Sequence, residues 1–209
     1  MVRRTKEEAA ATRDSIVNAA EKLFVQQGVS RTTLQAIADA AGVTRGAIYF
    51  HFEDKGALFN AMMDRATLPF EAAMGVLGRD GVNDTVAQLC DFLTAIFRVT
   101  ETDPQARRVL EIASLKVEFV AEMDAVRTRR RHSKANWMAQ VVARIEQGQA
   151  DGQIRRDIAA HTLATGLWAL MDGLIRNWMF EPGAFGLVET GQTLVATLLD
   201  GYRIQTNGQ

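Results

Sequence analysis

TTLQAIADAAGVTRGAIYFHFEDKGALF, running from Thr32 to Phe59, decides the fold. Leu34, Ile37 and Ala41 recur at helical spacing, and Thr32 or Thr33 can cap a helix over 33–41. Gly42 stops that helix, because glycine tolerates the positive φ that a tight turn requires. Thr44 caps a second helix over 44–51, well short of the ~12–15 residues an isolated helix needs in water. Such a helix must be held from behind. Val43, Ala47, Ile48 and Phe52 share one side and would pack on helix 33–41 and on Leu23 and Phe24. Ala38 and Ala41 are small enough for two helices to cross closely. Arg45, Gly46 and Tyr49 then point the other way. Two helices joined by a three-residue turn form a helix-turn-helix, whose second helix can enter a DNA major groove.

The outward residues have chemistry suited to that task. Arg45 can make a bidentate contact with a guanine edge. Gly46 lets the helix backbone approach closely. Thr33, Thr44, Tyr49 and His51 can donate to phosphates, as can Lys55 at the start of the next helix, where the macrodipole also favours an anion. Arg3, Arg4 and Lys6 form either an arm over the DNA backbone or a solubilising tail. Lys plus Arg number eight against seven Asp plus Glu over residues 1–63. Affinity must therefore come from placed contacts, not from bulk charge.

Helical periodicity continues on both sides. Ile16, Ala19, Ala20, Leu23 and Phe24 form one stripe ending at Gly28; Leu58, Phe59, Met62, Met63, Ala66 and Phe70 form another behind Asp54. GRDG, Gly78 to Gly81, reads as a turn and as the internal boundary. Long helical patterns follow at roughly 83–101, 104–119, 122–150, 157–181 and 187–205, with Pro104 suited to a first turn. Breaks fall at Ala150–Asp157 and Glu181–Gly186. No alternating strand pattern of useful length is present, so the expected fold is all-α: three short helices, a connecting fourth and five more. The chain of 209 residues is 47% hydrophobic with a net charge of −1, which excludes a bulk electrostatic binder. One cysteine, Cys90 in VAQLCDFL, excludes an internal disulfide and reads as a small buried hydrophobe. The polar amino terminus is no signal peptide, and no apolar run is long enough to span a bilayer. A cytoplasmic protein is expected.

The quoted stretch resembles the signature of the TetR family of bacterial transcriptional regulators. The match includes Gly28, Thr33, Ile37, Ala38, the Ala41-Gly42-Val43 turn, Ile48, Tyr49, Phe52, Lys55 and Leu58. The resemblance implies a nine-helix homodimer. Its DNA-binding helix-turn-helix domain occupies residues 1–55, and its ligand-binding and dimerisation domain residues 56–209. The last two helices form the dimer interface. Double-stranded operator DNA is the implied partner, with no cofactor and no membrane.

RRVLEIASLKVEFVAEM and MDGLIRNWMFEPGAFGL resemble the AcrR-type branch of multidrug-efflux repressors. That implies control of an efflux-pump operon, released by hydrophobic drug-like ligands. A regulator of a metabolic operon answering to a small metabolite is the alternative. Implied ligand-binding residues are Leu89, Phe92, Leu93, Ile96, Leu110, Ser114, Trp137, Val141, Trp168, Met171, Asp172 and Ile175. By periodicity alone the apolar members read first as packed core, and only the resemblance makes them a ligand site. At Leu110 and Ser114 the branch often carries larger polar groups, so the ligand spectrum is expected to differ. Asp172, on the face of Trp168 and Ile175, either meets a polar group of the ligand or pairs with Arg176. Glu111 has Arg107 and Arg108 one turn back and is expected to pair on the surface. The basic run Arg127–Lys134 is either an added anion-binding patch or a solvated face. Gly166 and Gly173 would allow close helix approach at the interface. An enzyme is the contrasting class. His51, His132 and His161 are scattered, and neither a phosphate loop nor metal spacing exists, so no catalytic residue is expected.

Overall fold

A computed structural model of the chain describes residues 6–75, 77, 84–117 and 124–204. The GRDG turn and the arginines of the amino-terminal arm, Arg3 and Arg4, lie outside them. Nine helices stand among the described residues: α1 (Lys6–Gln27), α2 (Leu34–Ala41), α3 (Arg45–His51), α4 (Lys55–Met74), α5 (Thr85–Thr102), α6 (Pro104–Leu115), α7 (Asp124–Ala150), α8 (Ala160–Phe180) and α9 (Leu187–Asp200). The all-α expectation holds, with one isolated bridge, Ile154 to Arg203, as the only strand-like pairing among them. The first helix is longer than expected, at 22 residues.

The local signals act as read. Gly28, at φ 82°, ends α1, and its N–H bonds the Phe24 carbonyl. Gly42, at φ 67°, ends α2; its N–H reaches the Asp39 carbonyl, and the Val43 N–H reaches that of Ala38. This paired closure satisfies carbonyls that the helix end would otherwise leave open. Of the two candidate caps for α2, Thr33 accepts from the Ala36 N–H. Thr32 is instead buried, its hydroxyl donating to the Gly28 carbonyl at 2.7 Å. Asp54 accepts from the Ala57 N–H at the start of α4.

The chain forms two compact units. One joins residues 1–67 to 108–131; the other joins 68–107 to 132–209. The first therefore extends past the expected boundary at residue 55 and takes in most of α6 and the start of α7. Its apolar centre holds Ile16, Val17, Ala20 and Phe24 of α1, Ile37 of α2, Ile48 of α3, and Leu58, Phe59 and Met62 of α4. The Phe24 and Phe59 rings lie 6.2 Å apart. Glu21 is buried on the same stripe of α1, and Arg108 of α6 donates to it at 2.9 Å, with Arg65 of α4 at 3.9 Å. Arg108 is thus committed to Glu21 and not to Glu111. The backbone ties these pieces further: the Val29 N–H donates to the Lys116 carbonyl.

The basic run is not simply a solvated face. Arg129 pairs with Asp64 at 2.7 Å and bonds the Asn60 carbonyl, and Arg130 reaches the Ala113 carbonyl. Arg127 pairs with Asp124 on its own helix.

In the second unit α5 runs along α9, and α8 packs beside both. Gly191 is the closest approach: a Cβ there would stand 2.5 Å from the Phe97 ring. The Tyr202 hydroxyl donates to the Leu163 carbonyl at 2.9 Å, passing where a Cβ on Gly166 would stand 2.8 Å away. Gly166 thus serves packing within the chain, whereas among the described residues nothing lies within 4 Å of a Cβ on Gly173. Cys90 is only half-buried.

Candidate nucleic-acid interface and sensing core

The short helix α3 is clamped from one side. Ile48 is fully buried and Phe52 nearly so, while Val43 and Ala47 are half-buried. Thr44 fixes the first turn by accepting from the Ala47 N–H at 3.2 Å. The opposite side is open. Arg45, Gly46, Tyr49 and Phe50 are exposed, Phe50 to 80%. The Arg45 guanidinium donates to the Tyr49 hydroxyl at 3.0 Å and lies 5.6 Å from its ring centroid. Arg45 and Tyr49 therefore present themselves as one ordered unit. A Cβ on Gly46 would meet nothing closer than the Thr44 hydroxyl at 3.8 Å. Packing among the described residues does not require its small size.

Thr33 and Thr44 are exposed, and each keeps a hydroxyl proton while accepting at its cap. His51 is half-buried, its ring 5.0 Å from that of Phe50 and edge-on to it. Lys55 departs from expectation. It is 5% exposed, and its ammonium donates to the Ser30 and Thr32 carbonyls at 3.4 and 3.3 Å. The side chain braces the turn before α2 and does not face out toward a phosphate. Phe50 escaped the sequence reading although the signal was present: two residues from the buried Ile48, it falls on the far side of the helix.

Residues 16–62 match the bacterial regulatory proteins of the tetR family, and residues 84–204 match the MAATS-type transcriptional repressor C-terminal region. The chain belongs to the TetR family. It is 34% identical to the transcriptional repressor BepR of Brucella suis over 99% of both chains. It is 35% identical to the transcriptional regulator TtgR of Pseudomonas putida over 98% of this chain and 97% of that one. Among solved structures it resembles NalD, the secondary repressor of the MexAB-OprM multidrug efflux pump in Pseudomonas aeruginosa. The TM-score is 0.86 at 30% identity, covering 96% of this chain and 100% of NalD. A complex of SmeT with triclosan matches with TM-score 0.79 at 28% identity, over 94% of this chain and 93% of SmeT. This chain is thus a DNA-binding transcriptional repressor of the TetR type.

The residues implied as ligand-binding fall into two sets in this TetR-family chain. Leu110 and Ser114, both half-buried, belong to the first compact unit. The other ten belong to the second. Leu89, Phe92, Leu93 and Val141 are fully buried there, and Ile96, Trp137, Met171 and Ile175 nearly so. Trp137 of α7 is the centre of an aromatic chain. Phe92 of α5 lies 6.2 Å from it, and Trp168 of α8 stands 5.0 Å away at 73°. The Lys134 ammonium sits 5.2 Å from the Trp168 ring centroid. Asp172 is half exposed, and the Arg176 guanidinium donates to it at 2.8 Å. The expected pair with Arg176 is thus formed. Farther along α8, Arg107 stacks 4.5 Å from the Trp178 ring.

Proposed function

We propose that this chain represses a multidrug efflux-pump operon as a homodimer and leaves its palindromic operator when a hydrophobic drug-like molecule binds. The observation that carries the reading is the outward face of α3. There Arg45 and Tyr49 are ordered against each other beside an unobstructed Gly46. In this reading Arg45 contacts a guanine edge, with Thr33, Thr44, Tyr49 and His51 on phosphates and Lys55 holding the turn from beneath. Two copies of α3 occupy successive major grooves.

Dimerisation through α8 and α9 is supported by an apolar groove of about 520 Å³ lined in part by Leu170, Leu194, Leu198 and Tyr202. Leu194 is 40% exposed in the single chain. The efflux reading is supported by relatives of matching length, since NalD and SmeT are both repressors of multidrug efflux pumps. Release requires the ligand to prefer the conformation that does not bind DNA.

A mobility-shift assay on the chain's own upstream DNA, with and without hydrophobic drugs, tests the whole reading. Wild type shifts the fragment and the Arg45→Ala, Tyr49→Ala double variant does not. Equal binding by both sinks the head assignment. Binding that no drug alters sinks the efflux assignment.

A further inference from the structure

The turn between α1 and α2 and the end of α6 share a recess of about 320 Å³ that holds none of the reading-face residues. Both walls belong to the first compact unit. Its charged lining is wholly basic, Arg31 and Lys116, with no carboxylate among the described residues. Neither of these side chains has an ion pair or hydrogen bond among those residues, and nor does the Gln26 amide beside them. The Ser30 hydroxyl, at the same recess, is buried and has no partner there either. Leaving a buried hydroxyl unpaired is costly, so four donor groups around one recess call for an acceptor. Open carbonyls at the two helix ends would favour a cation instead. They are already taken. The Thr32 hydroxyl donates to the Gly28 carbonyl at 2.7 Å, the Val29 N–H to that of Lys116 at 3.0 Å, and the Lys55 ammonium to that of Ser30 at 3.4 Å.

We propose that this recess binds a small phosphate monoester, its dianion set between Arg31 and Lys116 and its oxygens accepting from Ser30 and Gln26. A phosphate suits it better than a carboxylate. Two negative charges answer two cations, and three terminal oxygens answer donors spread over two chain segments. The volume is at the lower end of small-molecule sites, which run ~300–1,000 Å³, so the organic part of the ester is small. A recess walled by α6 suits a free molecule better than a phosphate of the DNA backbone, which projecting side chains reach more easily. The Val29 N–H already ties the two walls together, and a bound phosphate joins them through their side chains as well. This site stands apart from the drug-responsive reading above and does not depend on it.

Titration of the full-length protein with glycerol phosphate, inorganic phosphate and methylammonium tests the assignment, at an ionic strength fixed with sodium chloride. Glycerol phosphate binds with a Kd below about 1 mM, inorganic phosphate more weakly, and methylammonium does not saturate. In nitrogen-15 NMR spectra the amides of Ser30, Arg31 and Lys116 move with glycerol phosphate. Arg31→Met and Lys116→Met each weaken binding by about tenfold or more, the loss expected of a hydrogen bond to a charged group, and Ser30→Ala by about three- to tenfold. Arg98→Met removes an exposed arginine of α5 in the other unit and leaves binding unchanged. Arg31 is exposed and Lys116 half-buried, so their variants are expected to fold. The wild-type amide shifts decide the matter if one does not. The assignment is overturned if no probe saturates, if methylammonium binds tightest, if the shifted amides lie elsewhere, or if folded Arg31→Met and Lys116→Met bind as wild type does. It is overturned in favour of the operator backbone if glycerol phosphate fails to bind while Lys116→Met lowers the salt-dependence slope of operator affinity by about one.

Discussion

Phe50 shows how much a single side chain reports about its surroundings. An aromatic ring 80% exposed on a short helix gains little from the fold beyond its edge-on contact with His51, so its removal costs little stability, under about 0.5 kcal/mol. Next to Arg45 and Tyr49 it can press on the methyl group of a thymine in the major groove. Phe50→Ala is therefore expected to leave the urea unfolding midpoint in place and to weaken operator binding about tenfold in mobility shifts. Unchanged operator affinity would remove Phe50 from the reading face. Glu21 and Lys55 make the opposite point. Each is charged and each is buried, because each has partners brought from far along the chain. Arg108, 87 residues away, meets Glu21, and the Thr32 carbonyl, 23 residues away, meets Lys55. Glu21 follows Val17 and precedes Phe24 at helical spacing, so its burial was readable from the stripe. The identity of its partner was not, since nothing local encodes a contact across such a distance.

Among the elements, α5 and α9 are the most constrained pair. Their contact depends on the missing side chain of Gly191, since any Cβ there lands on the fully buried Phe97 ring. Gly191→Ala is expected to lower stability by about 1–3 kcal/mol, the range typical of overpacking a dense core. Chemical denaturation measures it, and a loss below about 0.5 kcal/mol would show that the ring can move aside. The start of α5 adds a pH dependence. Asp84 caps it through the Ala87 N–H and pairs with Arg203 at 3.0 Å. Burial pushes its carboxyl upward, but the Ala87 N–H and the Arg203 guanidinium outweigh that and hold it below its ordinary 3.8. A folded-state value below the unfolded one means that the contribution is fully present above pH 3.8. It fades as pH falls through the lowered value. Asp84→Asn keeps an equally good cap but loses the charge. The variant should thus show a flatter acid limb in melting temperature against pH, the difference from wild type vanishing at the acid end. Parallel limbs would show that Asp84 carries no charge-dependent stability.

At the level of the whole molecule, the legible and illegible parts divide by distance along the chain. The helix-turn-helix was readable because every device in it is local. Thr33 and Thr44 cap within three residues, Gly42 closes within four, and Ile48 and Phe52 lie one turn apart. The nine-helix order was readable for the same reason. Three things resisted. Asp172 could not be assigned between ligand and Arg176, because both choices satisfy the same spacing and only the exposed side of α8 separates them. The ring-to-ring order from Phe92 through Trp137 to Trp168 was not legible from periodicity, because three helices distant in sequence contribute one ring each; only the resemblance grouped the three. The extent of the first compact unit was hidden as well, since α6 joins it through Arg108 and the Lys116 carbonyl, groups with no periodic signature.

The placement of the tryptophans has a practical consequence. All three, Trp137, Trp168 and Trp178, belong to the second compact unit, and the reading helix carries only tyrosine and phenylalanine. Excited near the red edge of the absorption band, the protein emits light from its second compact unit alone, and the first is dark. Adding operator DNA without effector therefore gives a direct optical measure of communication. Emission that shifts on DNA binding reports that occupation of α3 is felt in the second unit, the reciprocal of the effector-driven release proposed above. Emission that stays fixed while a mobility shift proves binding would mean that DNA binding leaves the surroundings of the three tryptophans unchanged.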